Sequence, residues 1–338
     1  MSKLNSLLPN FLTPMASLAP MAFGLLLALT ALTPTTPAAA QDYPTKPVRI
    51  IVPFPPGAIN DTVGRMVGNH LTNRLGKQFV VENRPGAGGV VGAELVANAP
   101  KDGHTLLVVS LAITVNPWLY NLPYDHAKAW APVAPVATAP NVISVHPDLP
   151  FKTAKDLIEA AKKQPGKLQY GSSGVGTFLH LGPELFKLMA GVDILHIPYK
   201  GAAPAMIDVI GGRTQMAFGS IPSTIAHLRS GKLRALGVGA ASRSTTLPDV
   251  PTVSESGLPG YEAANWIGIV APAGTPAAIV EKLQKEIALM QDTPEAKKQF
   301  ANEGAEVLRM SSADFGKFIA SETAKWGRVV KDAGIKAQ

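Results

Sequence analysis

Six short stretches carry the residue types that could hold a ligand: "PFPPGAIND" (53–61), "NRPGAGGVVG" (83–92), "SLAIT" (110–114), "YGSSGVGTF" (170–178), "PYKGAAPA" (198–205) and "FGSIPST" (218–224). Each follows an apolar run, and four are rich in Gly or Pro and lead into a helical pattern. The first N–H groups of a helix have no partner inside it, and the helix dipole adds positive potential there. A bare turn entering a helix can therefore receive an anion, such as a carboxylate. Glycine lets the ligand reach the backbone, and Ser or Thr adds a hydroxyl bond. Pro55 and Pro56 restrict φ and stiffen the first turn before any ligand arrives.

The candidate contacts are Phe54, Gly57, Ala58, Asn60 and Asp61 in the first turn, and Ser110 and Ala112 in the third. The Gly-Ser turn adds Ser172, Ser173, Gly176 and Thr177; the next adds Tyr199, Lys200 and Gly201, and the last Ser220. Gly57 and Ala58 are expected to aim their N–H groups inward, with Phe54 as a wall. Each position also has a purely structural reading. Asp61 or Asn60 can cap the following helix, Thr177 can do the same, and Tyr199 and Lys200 can simply face solvent.

No catalytic set accompanies these turns. "YGSSGVG" misses the GxSxG elbow by one residue, and no GxxxxGK[ST] is present. "RPGAGG" departs from GxGxxG, with Val91 where the last glycine belongs and no clear acidic partner ~20 residues on. The seven histidines lack HxxxH or HExxH spacing, and cysteine is absent, which removes thiol catalysis, Cys-type zinc sites and disulfides. His180 lies on a helix with Glu184 four residues on, a placement that suits a supporting or core histidine better than a catalytic one. No enzyme activity, cofactor or metal is expected.

The elements that position the turns alternate. Strand-like runs at 48–54, 78–83 and 105–110 are separated by helical patterns after 61 and at 90–99. A second series starts near 141, with strands at 141–145, 194–199, 214–218 and 233–238 and helices at 153–164, 177–190 and near 203–211 and 223–230. "NWIGIV" (265–270) is a further strand, followed by helices at 276–290 and 311–334. Runs apolar on both faces that alternate with helices describe βαβ units and parallel sheets, whose ligands bind off the carboxyl ends of the strands. The segments 131–141 and 263–265 are the expected passages between two lobes, which makes the first lobe discontinuous: 41–140 and 265–338, with 141–264 as the second.

Composition agrees with a packed, soluble chain: 46% hydrophobic and 16% charged residues in 338. The net charge of +7 is spread without a basic block, which argues against nucleic acid and mildly favours anions. Lys3 is the only charge before Asp42; an apolar run (21–33) and small residues at Ala38 and Ala40 then describe a signal peptide, 1–40, cleaved before Gln41. The mature chain is expected to lie in the periplasm, unanchored in the membrane. Binding turns without a catalytic set point to a solute receptor, with a signalling component that docks on a membrane sensor and a periplasmic hydrolase as the competing readings.

The motifs also carry a resemblance. "YPTKPVRIIVPFPPGAIND", "VVENRPGAGGVVGAELVANAPKDGHTLL", "YGSSGVGTFLHLGPELF", "IPYKGAAPAMIDVIGGRTQMAF", "GKLRALGV", "LPDVPTVSESGLPGYE" and "WIGIVAPAGTP" follow one another over 43–338. Together they resemble the Bug-type (TctC-like) receptors of tripartite tricarboxylate transporters. The resemblance implies a periplasmic-binding-protein (Venus flytrap) fold, two α/β lobes with mainly parallel sheets and a ligand cleft between them. It implies a receptor that passes small organic acids to membrane transporter subunits; for this chain a mono- or dicarboxylate, aromatic acids included, is the expected ligand, and the mature chain is expected to be a monomer. It also implies that the carboxylate is held by backbone N–H groups, hydroxyls and water rather than by an arginine. Ala58 stands where the family usually repeats glycine, and Gly219-Ser220 where Asp or Asn is common.

Overall fold

The computed structural model describes residues 42–336, so the expected signal peptide lies outside the described residues. Strands β1 (Val48–Val52), β2 (Phe79–Asn83) and β3 (Thr105–Ser110) are parallel, with β1 in the middle. Strands β5 (Gln169–Ser172), β6 (Leu195–Pro198) and β7 (Met216–Ser220) repeat the plan with β5 in the middle. Two longer strands join the halves. β9 (Ala264–Pro272) runs antiparallel to β3, and β4 (Trp130–Val145) runs antiparallel to β9 as far as Pro140. From Asn141 onward β4 pairs instead with β7 and with β8 (Arg234–Val238), both antiparallel. The short β10 (Glu306–Val307) pairs with Ala137 and Thr138 of β4. Each half is thus an α/β lobe with a parallel centre, and the joining strands make the whole sheet mixed.

The passage 131–141 is therefore part of β4, the strand whose pairing changes from β9 to β7 and β8. It carries Pro132, Pro135 and Pro140, which cannot donate to a ladder. The pairing with β9 shifts register between Pro132 and Ala134 and again between Pro135 and Ala137. These irregularities accommodate the prolines within a strand that would otherwise be broken.

Helices cover both faces. Ile50, Val52, Leu106, Val108, Ile267 and Ile269 pack under α1 (Ile59–Leu75) and α8 (Ala277–Gln291). Ile51, Leu107, Val109 and Val270 face the other way, with α2 (Val90–Ala97), α3 (Leu111–Leu119) and the C-terminal α10 (Ser312–Asp332). The period of two along each strand produces this division. The second cluster continues into the other lobe through Trp266, Tyr261, Phe186 and Tyr170. There α4 (Ala154–Lys163), α5 (Phe178–Ala190), α6 (Ala202–Ile210) and α7 (Ile221–Arg229) surround the sheet, and α9 (Pro294–Asn302) follows α8 in the first lobe. α1 approaches its sheet very closely: a Cβ on Gly64 would stand 2.9 Å from Val52 and 3.1 Å from Val108. That contact holds the start of α1 against the end of β1.

Candidate functional site

The carboxyl ends of β1, β3 and β5 each lead into a helix, and the three helix starts meet around one cavity. Its walls include Phe54 and Asn60 at the start of α1, Ser110, Leu111 and Ala112 at the start of α3, and Gly176, Thr177 and Phe178 at the start of α5. The N-cap residues Ala58, Ser110 and Thr177 are extended, and none of them makes a side-chain cap bond. The same residue types cap three helices elsewhere, Thr153 on α4, Thr293 on α9 and Ser311 on α10, whereas Ser220 at the start of α7, away from the cavity, makes no cap bond either. What sets Ser110 and Thr177 apart is that they line the cavity, so the unpaired backbone donors of their helix starts lie within reach of an anion there.

The cavity holds about 230 Å³. Leu111, Val115, Leu119, Val175 and Phe178 give it apolar walls, with Phe54 and Tyr120 adding aromatic surface. Gly88, Asn116 and Asn265 complete it, so no lining side chain carries a charge. Asn60 is 5% exposed, and its Nδ2 has no hydrogen-bond partner among the described residues. A buried amide donor is costly to leave unpaired, so a group that accepts from it stabilises the site. Positive helix ends, one unpaired amide and apolar walls together favour a small anion with an apolar body.

Six of the candidate residues meet there: Phe54, Asn60, Ser110, Ala112, Gly176 and Thr177. The others lie beside the cavity or away from it. The Gly57 N–H, expected to face a ligand, donates to Asp61 Oδ2 at 3.0 Å. Asp61 also accepts from Arg65 at 3.0 Å and Asn83 at 2.9 Å. Burial alone would raise its pKa, but these three donors hold it below the usual carboxylate value. Asp61 is thus an ionised clamp on the first turn, and Ala58 is the residue from which α1 starts.

The Gly-Ser turn is clamped in the same way. The Thr177 hydroxyl donates to the Gly174 carbonyl at 2.8 Å and accepts from Ser173 at 3.0 Å. Ser172 is buried; its Oγ accepts from the Gly174 N–H at 3.1 Å and lies 2.6 Å from His196 Nε2. The Gly176 N–H donates to His180 Nδ1 at 3.0 Å. Tyr199 donates to Asp208 at 2.6 Å, Lys200 is exposed, and Gly201 starts α6. Ser220 starts α7 and donates to Ser223 at 2.9 Å.

The residues that sequence reasoning missed come mostly from α3, whose "LAITVNPWL" is mostly apolar and contains Pro117. Asn116, Leu119 and Tyr120 could not be placed without a plain helix signal. Val175 and Phe178 lie within the Gly-Ser turn and line the cavity with apolar surface, which the glycine and hydroxyl signal of the turn does not mark. Asn265 is the first polar residue of the "NWIGIV" run. Among the described residues no group of His, Cys, Asp and Glu is arranged to hold a metal ion. No helix among them is long and apolar enough to cross a membrane.

Comparison with known proteins adds independent findings. The family model described as "Tripartite tricarboxylate transporter family receptor" matches residues 63–335. Protein BugT of Bordetella pertussis is 36% identical over 304 residues, 89% of this chain and 93% of BugT. The structure of Rpa4515 from R. palustris with adipate superposes with a TM-score of 0.73 at 37% identity, covering 88% of this chain and 100% of that one. MatC (Rpa3494) from Rhodopseudomonas palustris with bound malate gives a TM-score of 0.68 at 30% identity, covering 85% of this chain and 100% of that one.

Proposed function

Because the chain belongs to the tripartite tricarboxylate transporter receptor family, we propose that it captures a small organic acid in the periplasm and delivers it to membrane transporter subunits. The observation that carries the ligand class is the meeting of three helix starts without side-chain caps around one uncharged cavity. One carboxylate sits against these starts and accepts from Asn60 Nδ2. The ligand body lies along Leu111, Val115, Leu119 and Phe178. The apolar walls favour acids with a hydrocarbon or aromatic body over densely hydroxylated ones.

In this reading residues 41–140 with 265–338 form one lobe and 141–264 the other, and 1–40 is removed on export. The acid touches α1 and α3 from the first lobe and α5 from the second, so its differential affinity favours the closed arrangement. The mature chain acts as a monomer.

The test is a thermal-shift screen of mono- and dicarboxylates on the mature chain, followed by calorimetry. Adipate and malate are the first probes, since related structures contain them. A ligand at a hundred times its Kd stabilises by about 2.7 kcal/mol, which shows as a clear rise in Tm. A panel in which no carboxylate raises Tm removes the proposal.

A further inference from the structure

Beneath the Gly-Ser turn lies a column of buried and half-buried polar side chains, none of which lines the cavity. The rings of His180, on α5, and His196, on β6, stack at 4.0 Å between centroids with 15° between planes. Tyr170, on β5, stacks on the far side of His196 at 4.9 Å. His180 is 5% exposed. The column is tied on both sides: Ser172 Oγ meets His196 Nε2 at 2.6 Å, and Tyr170 donates to Glu184 Oε1 at 2.7 Å. Lys187 reaches the same Glu184 oxygen at 2.8 Å.

The bond at the top of the column has only one possible sense. A backbone N–H can only donate, so the Gly176 N–H fixes His180 Nδ1 as the acceptor. The ring is then neutral with its proton on Nε2, where Glu184 Oε1 lies 4.0 Å away. Gly176 has φ +75°, which a non-glycine residue adopts only with strain, and it lines the ligand cavity next to Thr177 and Phe178. The Gly176 peptide therefore owes its direction to a side chain one helical turn further on.

We propose that His180 is a positioning residue for ligand binding: backed by His196, its Nδ1 holds the Gly176 peptide so that the start of α5 presents its free N–H groups to the cavity. His180 touches no ligand itself. The role rests on the carboxylate-receptor reading given above.

The decisive measurements use the mature full chain. Long-range 15N–1H spectra of the histidine rings are expected to show the Nε2–H tautomer at His180, with and without ligand; an Nδ1–H tautomer overturns the proposal. Calorimetry with a carboxylate found in the screen then compares two variants. His180→Phe keeps a flat ring in the stack but offers no acceptor, and is expected to weaken binding by about tenfold. His180→Asn offers an acceptor where Nδ1 sits, and is expected to restore affinity to within about threefold of the parent. Equal losses in both, or undiminished binding by His180→Phe, overturn the positioning role. Should His180→Phe fail to fold, the tautomer and the His180→Asn affinity decide. If no carboxylate binds the parent chain, the receptor reading falls first. If the parent binds and His180→Phe binds as well, the positioning role alone falls.

Discussion

Asn60 and Asp61 are neighbours with opposite duties, and only their surroundings separate them. Both are about 5% exposed. Asp61 is saturated by Gly57, Arg65 and Asn83, whereas the Asn60 amide nitrogen is unpaired at the cavity wall. The sequence marks both as polar residues at a helix start and cannot say which one turns inward. In the same way "GSSGVGT" announces a special turn, but not that most of its hydroxyls bond to one another. Replacing Asn60 with Asp keeps the size and substitutes a carboxylate for the amide donor. A ligand carboxylate then meets a like charge in a buried site, where a lost charged hydrogen bond alone costs about 1.5–3 kcal/mol. Asn60→Asp is expected to weaken acid binding by more than tenfold in calorimetry, and Asn60→Ala by less. Wild-type affinity in Asn60→Asp would show that the carboxylate sits elsewhere.

At the scale of elements, the alternation of strands and helices was legible because the strands of the βαβ units are short apolar runs set off by turn residues, and most of the covering helices have a polar side. The failures share one cause. α3 is mostly apolar with Pro117 inside it, and the first half of β4 carries Pro132 and Pro135, so neither gives a plain helix or strand signal. α3 is held at its far end by α10. Trp118 donates from Nε1 to the Thr323 carbonyl at 3.1 Å, and its ring lies where a Cβ on Gly327 would be. Gly327→Ala must displace the indole or shift α10. Trp118 is half exposed, so the indole is pushed toward solvent and loses its bond to Thr323; the cost is about 1 kcal/mol, and urea denaturation should register it. Because α3 opens onto the cavity at Ser110–Ala112, displacing its far end should also lower ligand affinity. A variant as stable as the parent would show that Trp118 swings out without consequence.

For the whole molecule, the titration of buried histidines sets how stability responds to pH. Burial pushes His180 down to about 3, and the nearby His196 and Lys187 charges push in the same direction. Burial also lowers His196 and His126, against the pull of Glu184 and Asp125. Glu184, the carboxylate near His180, is shared with Lys187 and Tyr170, so it does not rescue the imidazolium. The unfolded chain accepts these protons near pH 6.5, and the folded chain refuses them. Stability is therefore complete above about pH 6.5 and falls as pH drops through the window toward 3. The paired carboxylates act lower. Glu82 is held at about 2, chiefly by Arg49, and Asp61 also lies below its ordinary value, so their contribution is lost only below about pH 4. Between pH 6 and 4.5 His180 contributes a slope of up to about 1.4 kcal/mol per pH unit, and His196 and His126 act in the same direction. His180→Asn removes one such group while keeping the acceptor for Gly176. Its unfolding free energy should fall less steeply than the parent's over that window, by about that slope, and converge toward the parent's behaviour above pH 7. Urea denaturation at pH 7, 6 and 5 reads the difference. Parallel curves for the two proteins would mean that His180 takes up its proton in the folded state as readily as in the unfolded one. That result could not be reconciled with a buried ring whose Nδ1 is committed to a backbone N–H.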